Sequence, residues 1–383
     1  MFVPIANVPR DYAWGSRRLL SDYLGRAPSG GPEAELWLGA HPGCPARVTG
    51  GEHAGLDLDA ALEALERPQP RMLLKVLAAA EPLSLQAHPD AERARAGFER
   101  EEAAGVPRDA AHRSYRDPFA KPELVVAVTP FEALSGFRPR AAASHAVGAL
   151  ERIDARFAPV ADRVRAGDAL AWLLSGSPDV AAALVAAREQ RTAIAAALPG
   201  EADTLRRLEA SHPGDPGILV ALLLNRVSLR PGEALFLPAG NLHAYLEGLG
   251  IELMGPSDNV LRGGLTPKHV DVAELLAVVD TAPVDDPRLA AEELDGALAY
   301  RPAAPFELRR IEGAHAVDAR RALLLAVAPT EVELAGERRW LAGGEAAWID
   351  VDAPFAVDSA EAWLAIELDT PSAALPPIGG RHA

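Results

Sequence analysis

The stretch RPGEALFLPAGNLHAYLEG, residues 230–248, holds two short apolar-rich runs, ALFL and LHAYL, parted by a Pro-Ala-Gly-Asn turn. Such runs bounded by proline and glycine read as strands, because proline cannot donate to a ladder and glycine gives a tight turn its backbone freedom. Gly232 is followed after five residues by Pro238, then by Gly240 and, after two more residues, by His243. The histidine therefore opens a strand at the exit of a turn.

A second strand-like stretch is EPLSLQAHPD, residues 81–90. Strand side chains alternate between faces, so Ser84, Gln86 and His88 are expected on one face, with Leu83, Leu85 and Ala87 on the other. The Gly-x5-Pro-x-Gly-x2-His spacing at 232–243 resembles the second motif of the cupin superfamily, whose histidine points into a β-barrel. The first cupin motif offers a His-x-His pair followed closely by a glutamate. Here that pair is Gln86-Ala87-His88, and the chain leaves on a charged, helix-like excursion over 89–120 before returning at AKPELVVAV with Glu123. Gln86, His88, Glu123 and His243 together offer two imidazoles, one carboxylate and one amide oxygen. That set suits a borderline divalent ion, zinc above all, and one anionic ligand leaves the ion net positive.

The third stretch, IELMGPSDNVLRGGLTPKHVD at 251–271, follows the His243 strand directly. Glu252, Asp258, Asn259, Arg262 and Lys268 crowd it among glycines and prolines, a density of charge unlike a plain solvated loop.

Around these segments the pattern divides the chain. Residues 1–137 and 225–300 read as one β unit, a catalytic cupin domain; 138–224, rich in Ala, Leu, Glu and Arg, as a helical domain or insertion; 301–383 as a C-terminal cupin-like β domain. The expected fold is mainly β, cupin-type jelly-roll barrels with a helical insertion. Nearly half of the 383 residues are hydrophobic, ample for a buried core, and the net charge of −16 argues against nucleic-acid partners and anionic membrane surfaces. Cys44 is the single cysteine, so there is neither an intrachain disulfide nor a thiolate metal cluster. With no export signal and no membrane-length apolar run, the expectation is a soluble cytoplasmic protein, a monomer by preference.

Taken in order, QAHP at 86–89, KPE at 121–123, PAGNLHAYL at 238–246 and SDNVLRGGLTPK at 257–268 resemble the type I mannose-6-phosphate isomerases, as do YAWGS at 12–16 and ELWLGAHP at 35–42. The resemblance is specific over roughly 1–137 and 225–285 and only general elsewhere. It implies zinc-dependent interconversion of D-mannose 6-phosphate and D-fructose 6-phosphate, one zinc per chain, bound by the matching Gln86, His88, Glu123 and His243. The family has a histidine directly before KPE where this chain has Ala120, so no catalytic role is placed there.

Such an isomerisation needs a proton carrier and an electrophile for the developing oxyanion. Arg262 and the metal are the expected sources of positive charge; Asp258, Glu252 and a neutral Lys121 are alternatives for the carrier. Lys268, Lys75 and Arg262, with the Ser84 hydroxyl, are the candidates for the sugar phosphate. The competing reading is a non-catalytic metal-binding cupin that holds a sugar or sugar phosphate. A third, an iron oxygenase, fits poorly with an amide ligand.

Overall fold

One strand, His243–Met254, organises the first β unit in the computed structural model, which describes residues 1–368. Its first half pairs with Phe131–Phe137 and, at His243, with Leu85–Ala87. Its second half pairs with Leu73–Ala79 on one edge and Glu123–Ala127 on the other. The strand thus passes from one sheet into a second, through a bulge between Tyr245 and Glu247 followed by Gly248 at φ +124°. A Cβ on Gly248 would lie 2.7 Å from both the Phe131 ring and the Pro130 carbonyl oxygen, so the crossing requires glycine.

Leu261–Gly264 extends the first sheet beside Leu85–Ala87, and Leu224–Leu229 extends it beside Phe131–Phe137. Glu35–Leu38 and Ala234–Leu237 extend the second. Leu77, Val125 and Leu235 from one sheet meet Phe131, Val227 and Tyr245 from the other in a shared apolar cluster. Phe131 and Tyr245 meet edge to face at 5.3 Å. The ladder does not close on itself among the described residues, so the expected barrel is realised as two facing sheets joined by a bent strand.

Helices Arg140–Ile153, Ala158–Ala166, Pro178–Glu189 and Pro199–Ser211 follow. The first buries Ala143, Ala146, Val147 and Leu150, the spacing of one helical face. Val147, Leu150, Phe157, Leu184 and Leu208 pack with Leu85, Ala87, Leu242, Ala244 and Leu261. The helices therefore cover the outer face of the first sheet, and the residues alternating with these apolar ones face inward.

The C-terminal strands, among them Phe306–Val317, Arg321–Ala326, Ala346–Asp350 and Phe355–Glu367, form a second ladder. Phe2–Ala6 pairs with Ala346–Asp350 and also with Arg47–Val48. The first strand of the chain, which the sequence pattern groups with residues 1–137, thus belongs by hydrogen bonding to the C-terminal sheet. Val3, Ile5, Leu74, Val126, Ile251, Leu323, Trp348 and Trp363 form one apolar cluster across the two ladders. The end of the 301–383 segment, residues 369–383, lies outside the described residues. Among the described residues no helix is long and apolar enough to cross a membrane.

Gly248→Ala should lower stability by about 2 kcal/mol or more, because both the positive φ and the backbone contact oppose a side chain. Urea denaturation checks this; an unchanged midpoint would show that the crossing tolerates a side chain.

Candidate active site

Opposed residues in an antiparallel pair project to the same face. The register sets Arg262 opposite Gln86, Gln86 opposite His243, and His243 opposite Ser135, so the four form a row on the inner face of the first sheet. The strand around Gln86 spans only Leu85–Ala87. Leu83 lies outside it and packs toward the interior cluster, unlike the outward position expected from alternation, whereas Leu85 and Ala87 do face the helices. Ser84 precedes the strand, half-buried; neither it nor the half-buried Gln86 makes a side-chain hydrogen bond among the described residues.

Glu123 opens its strand beneath this row. Its Oε2 lies 3.4 Å from His88 Nε2 and 3.3 Å from His243 Nε2. All three atoms are buried and none has a hydrogen-bond partner among the described residues. The tautomers account for this: His88 Nδ1 lies 2.7 Å from the Asn259 carbonyl oxygen and His243 Nδ1 3.1 Å from that of Asn241. Each Nδ1 donates to a carbonyl, which leaves each Nε2 lone pair aimed at Glu123. The turn of the 238–243 motif braces the arrangement, since the Gly240 N–H donates to the His88 carbonyl at 2.8 Å. One atom each of His88, Glu123 and His243 lies within 4.8 Å of the others, as a common metal ion demands.

Burial alone would raise the Glu123 carboxyl, but the Lys121 ammonium holds it well below the usual range. Lys121 Nζ sits 2.9 Å from Glu123 Oε1. Burial lowers His88 to about 4 against the pull of Glu123, so the imidazole is neutral and able to ligate at neutral pH.

Below this centre lies a paired group. Lys75 Nζ is 3.1 Å from Glu252 Oε2, 3.9 Å from Glu35 Oε1, and 4.6 Å from the centre of the Trp37 ring. Tyr245 Oη donates to Glu252 at 3.1 Å. Burial opposes the Lys75 charge, yet Glu252, Glu35 and Glu123 raise it above its ordinary range; burial pushes Glu252 up despite Lys75. A charged lysine in a strand buried on both faces is thus matched by carboxylates.

A different group of cations is unmatched. Arg262, Lys268 and Arg116 have no carboxylate partner among the described residues, in a chain of net charge −16. Burial lowers both Arg262 and Lys268, and repulsion from Arg116 adds to it. Arg116 is absent from the sequence-derived candidates, because an exposed arginine in a charged excursion carries no local signal.

The loop bearing Arg116 is anchored hard. The excursion starts with helix Ala91–Ala103, capped when Asp90 Oδ1 accepts from the Arg93 N–H at 2.7 Å. Gly97 of that helix lets the buried Tyr115 ring approach so closely that a Cβ would lie 2.5 Å away. The buried Asn259 amide donates to the Asp117 and Phe119 carbonyls at 2.7 and 2.9 Å and accepts from the Arg116 N–H at 2.8 Å. Asn259 therefore ties the excursion to the carbonyl that orients His88. Asp258, half-exposed, stands beside it with Oδ1 3.5 Å from His41 Nε2.

A cleft of about 710 Å³, lined by residues such as Ile194, Ala202 and Leu205, lies between helices remote in sequence from these groups. Donor chemistry, not volume, locates the site.

Residues 2–140 match the sequence model of the phosphomannose isomerase type I catalytic domain. The mannose-6-phosphate isomerase of Salmonella typhimurium is 39% identical over 301 residues, 73% of this chain and 75% of that one; the Escherichia coli enzyme is 39% identical over 296 residues, 72% and 74% of the two chains. The chain belongs to the type I phosphomannose isomerases. The structure of the Salmonella typhimurium mannose 6-phosphate isomerase bound to fructose 6-phosphate and zinc matches with a TM-score of 0.87 at 31% identity, covering 96% of this chain and 100% of that chain. Its apo form matches with a TM-score of 0.86 at 31% identity, over 96% and 99%.

The folded-state values of His88 and His41, each lowered by burial to about 4 from 6.5, fix a sign. The unfolded chain binds protons first as pH falls, so the stability these imidazoles contribute is complete above pH 6.5 and is lost as pH falls through 4. The urea midpoint of metal-free protein should therefore drop over this window, and His88→Phe should flatten part of the drop; a native midpoint constant across it would contradict the burial.

Proposed function

We propose that the protein interconverts D-mannose 6-phosphate and D-fructose 6-phosphate with one zinc ion per chain, held by Gln86, His88, Glu123 and His243. The observation that carries this reading is the meeting of three partnerless buried donor atoms with a row that leads to unmatched cations. The relatives named above, one of them with fructose 6-phosphate and zinc bound, support the same substrate class. His88, Glu123 and His243 supply imidazole and carboxylate donors, and the free Gln86 amide beside His243 completes a four-donor set.

A zinc ion there supplies positive charge beside the sugar oxygens. The chain's own residues do the rest. The proton moves between neighbouring carbons through an enediolate, and Arg262, next in the row to Gln86, stabilises the oxyanion that develops. Of the three candidate carriers, Glu252 is engaged by Lys75 and Tyr245, and Lys121 by Glu123. Asp258 has a carboxylate that is 40% exposed and bears no cation, and we assign the proton transfer to it. Arg262, Lys268 and Arg116, with the Ser84 hydroxyl, receive the phosphate; Lys75, its charge already matched, is left out.

We take the protein to be a monomer of the cytoplasm, where the lone Cys44 stays a free thiol. In this reading residues 1–137 and 225–300 carry the chemistry, 138–224 back the sheet that bears Gln86 and His243, and the described part of 301–383, residues 301–368, completes the shared core.

Zinc-loaded protein incubated with mannose 6-phosphate should yield fructose 6-phosphate, and a chelator should abolish the yield. Folded, metal-loaded protein without turnover would instead mark a sugar-binding module. Glu123→Ala should remove zinc and activity together, so a variant retaining stoichiometric zinc overturns the ligand assignment. Arg262→Ala should keep the metal and lower kcat by about 100-fold; an unchanged kcat rejects its role at the oxyanion.

A further inference from the structure

His41 is 3% exposed, and no step above uses it. It follows the Glu35–Leu38 strand, and its Nδ1 accepts from the Gly43 N–H at 3.1 Å. The proton of the neutral ring therefore sits on Nε2. Trp37 holds the ring edge to face, centroids 5.0 Å apart. Nε2, fixed in this way, lies 3.5 Å from Asp258 Oδ1.

Asp258 is restrained at its backbone and free at its carboxylate. Its N–H donates to Asp117 Oδ2 at 2.8 Å, and the carbonyl of the next residue, Asn259, orients His88. Its side chain makes no hydrogen bond among the described residues, and a charged neighbour, the Asp117 carboxylate, repels it. Burial lowers His41 to about 4, with Lys75 and Lys121 also acting against the pull of Asp258, so at neutral pH the group facing Asp258 is an uncharged N–H. A Lys or Arg in that place would fix the carboxylate as well but would make it a poorer base. A neutral donor restricts its rotamers and leaves its charge available.

We infer that His41 is a positioning residue, whose Nε2–H holds the Asp258 carboxylate toward the sugar without touching the substrate itself. This rests on the isomerase reading of the site, and native turnover of mannose 6-phosphate is the control that tests that reading separately.

The test compares two zinc-loaded variants with native protein. His41→Phe keeps the packing against Trp37 and removes the donor; His41→Gln places an amide N–H near the Nε2 position. Turnover of mannose 6-phosphate by His41→Phe should fall about 10- to 100-fold in kcat, with KM and zinc content near native. His41→Gln should recover at least a third of the native kcat, and adding His41→Phe to Asp258→Asn should cost no more than twofold beyond Asp258→Asn alone. A His41→Phe kcat within twofold of native overturns the inference, as does an equal loss in both His41 variants or a fully additive double variant. If His41→Phe does not fold, His41→Gln decides by itself: a third or more of native kcat supports the inference and a smaller value overturns it.

Discussion

Three polar atoms, His88 Nε2, Glu123 Oε2 and His243 Nε2, converge in the interior with no hydrogen-bond partner among the described residues. Each such atom costs about 1–3 kcal/mol when left unsatisfied, and a carboxylate more. A fold keeps an arrangement of this kind only where its surroundings impose it. Here they do: carbonyls of Asn259 and Asn241 fix both imidazoles, Lys121 holds the other Glu123 oxygen, and the bent strand His243–Met254 joins the two sheets that supply the parts. Stability given up at this point is recovered when an ion binds, so folding and metal binding are linked.

The electrostatic layout separates two kinds of cation. Lys75 is buried between Glu35 and Glu252 and serves the architecture beneath the site. Arg262, Lys268 and Arg116 have no carboxylate partner among the described residues of a strongly acidic chain. The overall charge repels polyanions, and this small uncompensated patch beside the donors restores attraction for one compact anion. A sugar phosphate offers both what the patch needs and oxygens for the metal.

Much of the site was legible in the sequence because its chemistry follows strand alternation and turn punctuation. Gln86 and His243 share a face because they are register partners, and the PAGN turn before His243 reads from residue types alone. Glu123 was legible as the return from the excursion. What stayed hidden depends on long-range packing. Arg116 and His41 gain meaning only when Asn259 and Asp258, more than a hundred residues away, are folded against them. The same holds for the fold: mainly β with a helical insertion was readable, yet nothing local in FVPIA says that the first strand pairs with Ala346–Asp350. Nor does Leu83 reveal that the strand begins two residues later, at Leu85.

The ligand set of Gln86, His88, Glu123 and His243 stands or falls on where the metal sits. Crystals of the zinc-loaded protein, measured on either side of the zinc absorption edge, should show one anomalous peak per chain, within about 2.0–2.2 Å of His88 Nε2, His243 Nε2 and a Glu123 carboxylate oxygen, with Gln86 at the fourth position. No peak there in zinc-loaded protein, or a peak held by other residues, would contradict it.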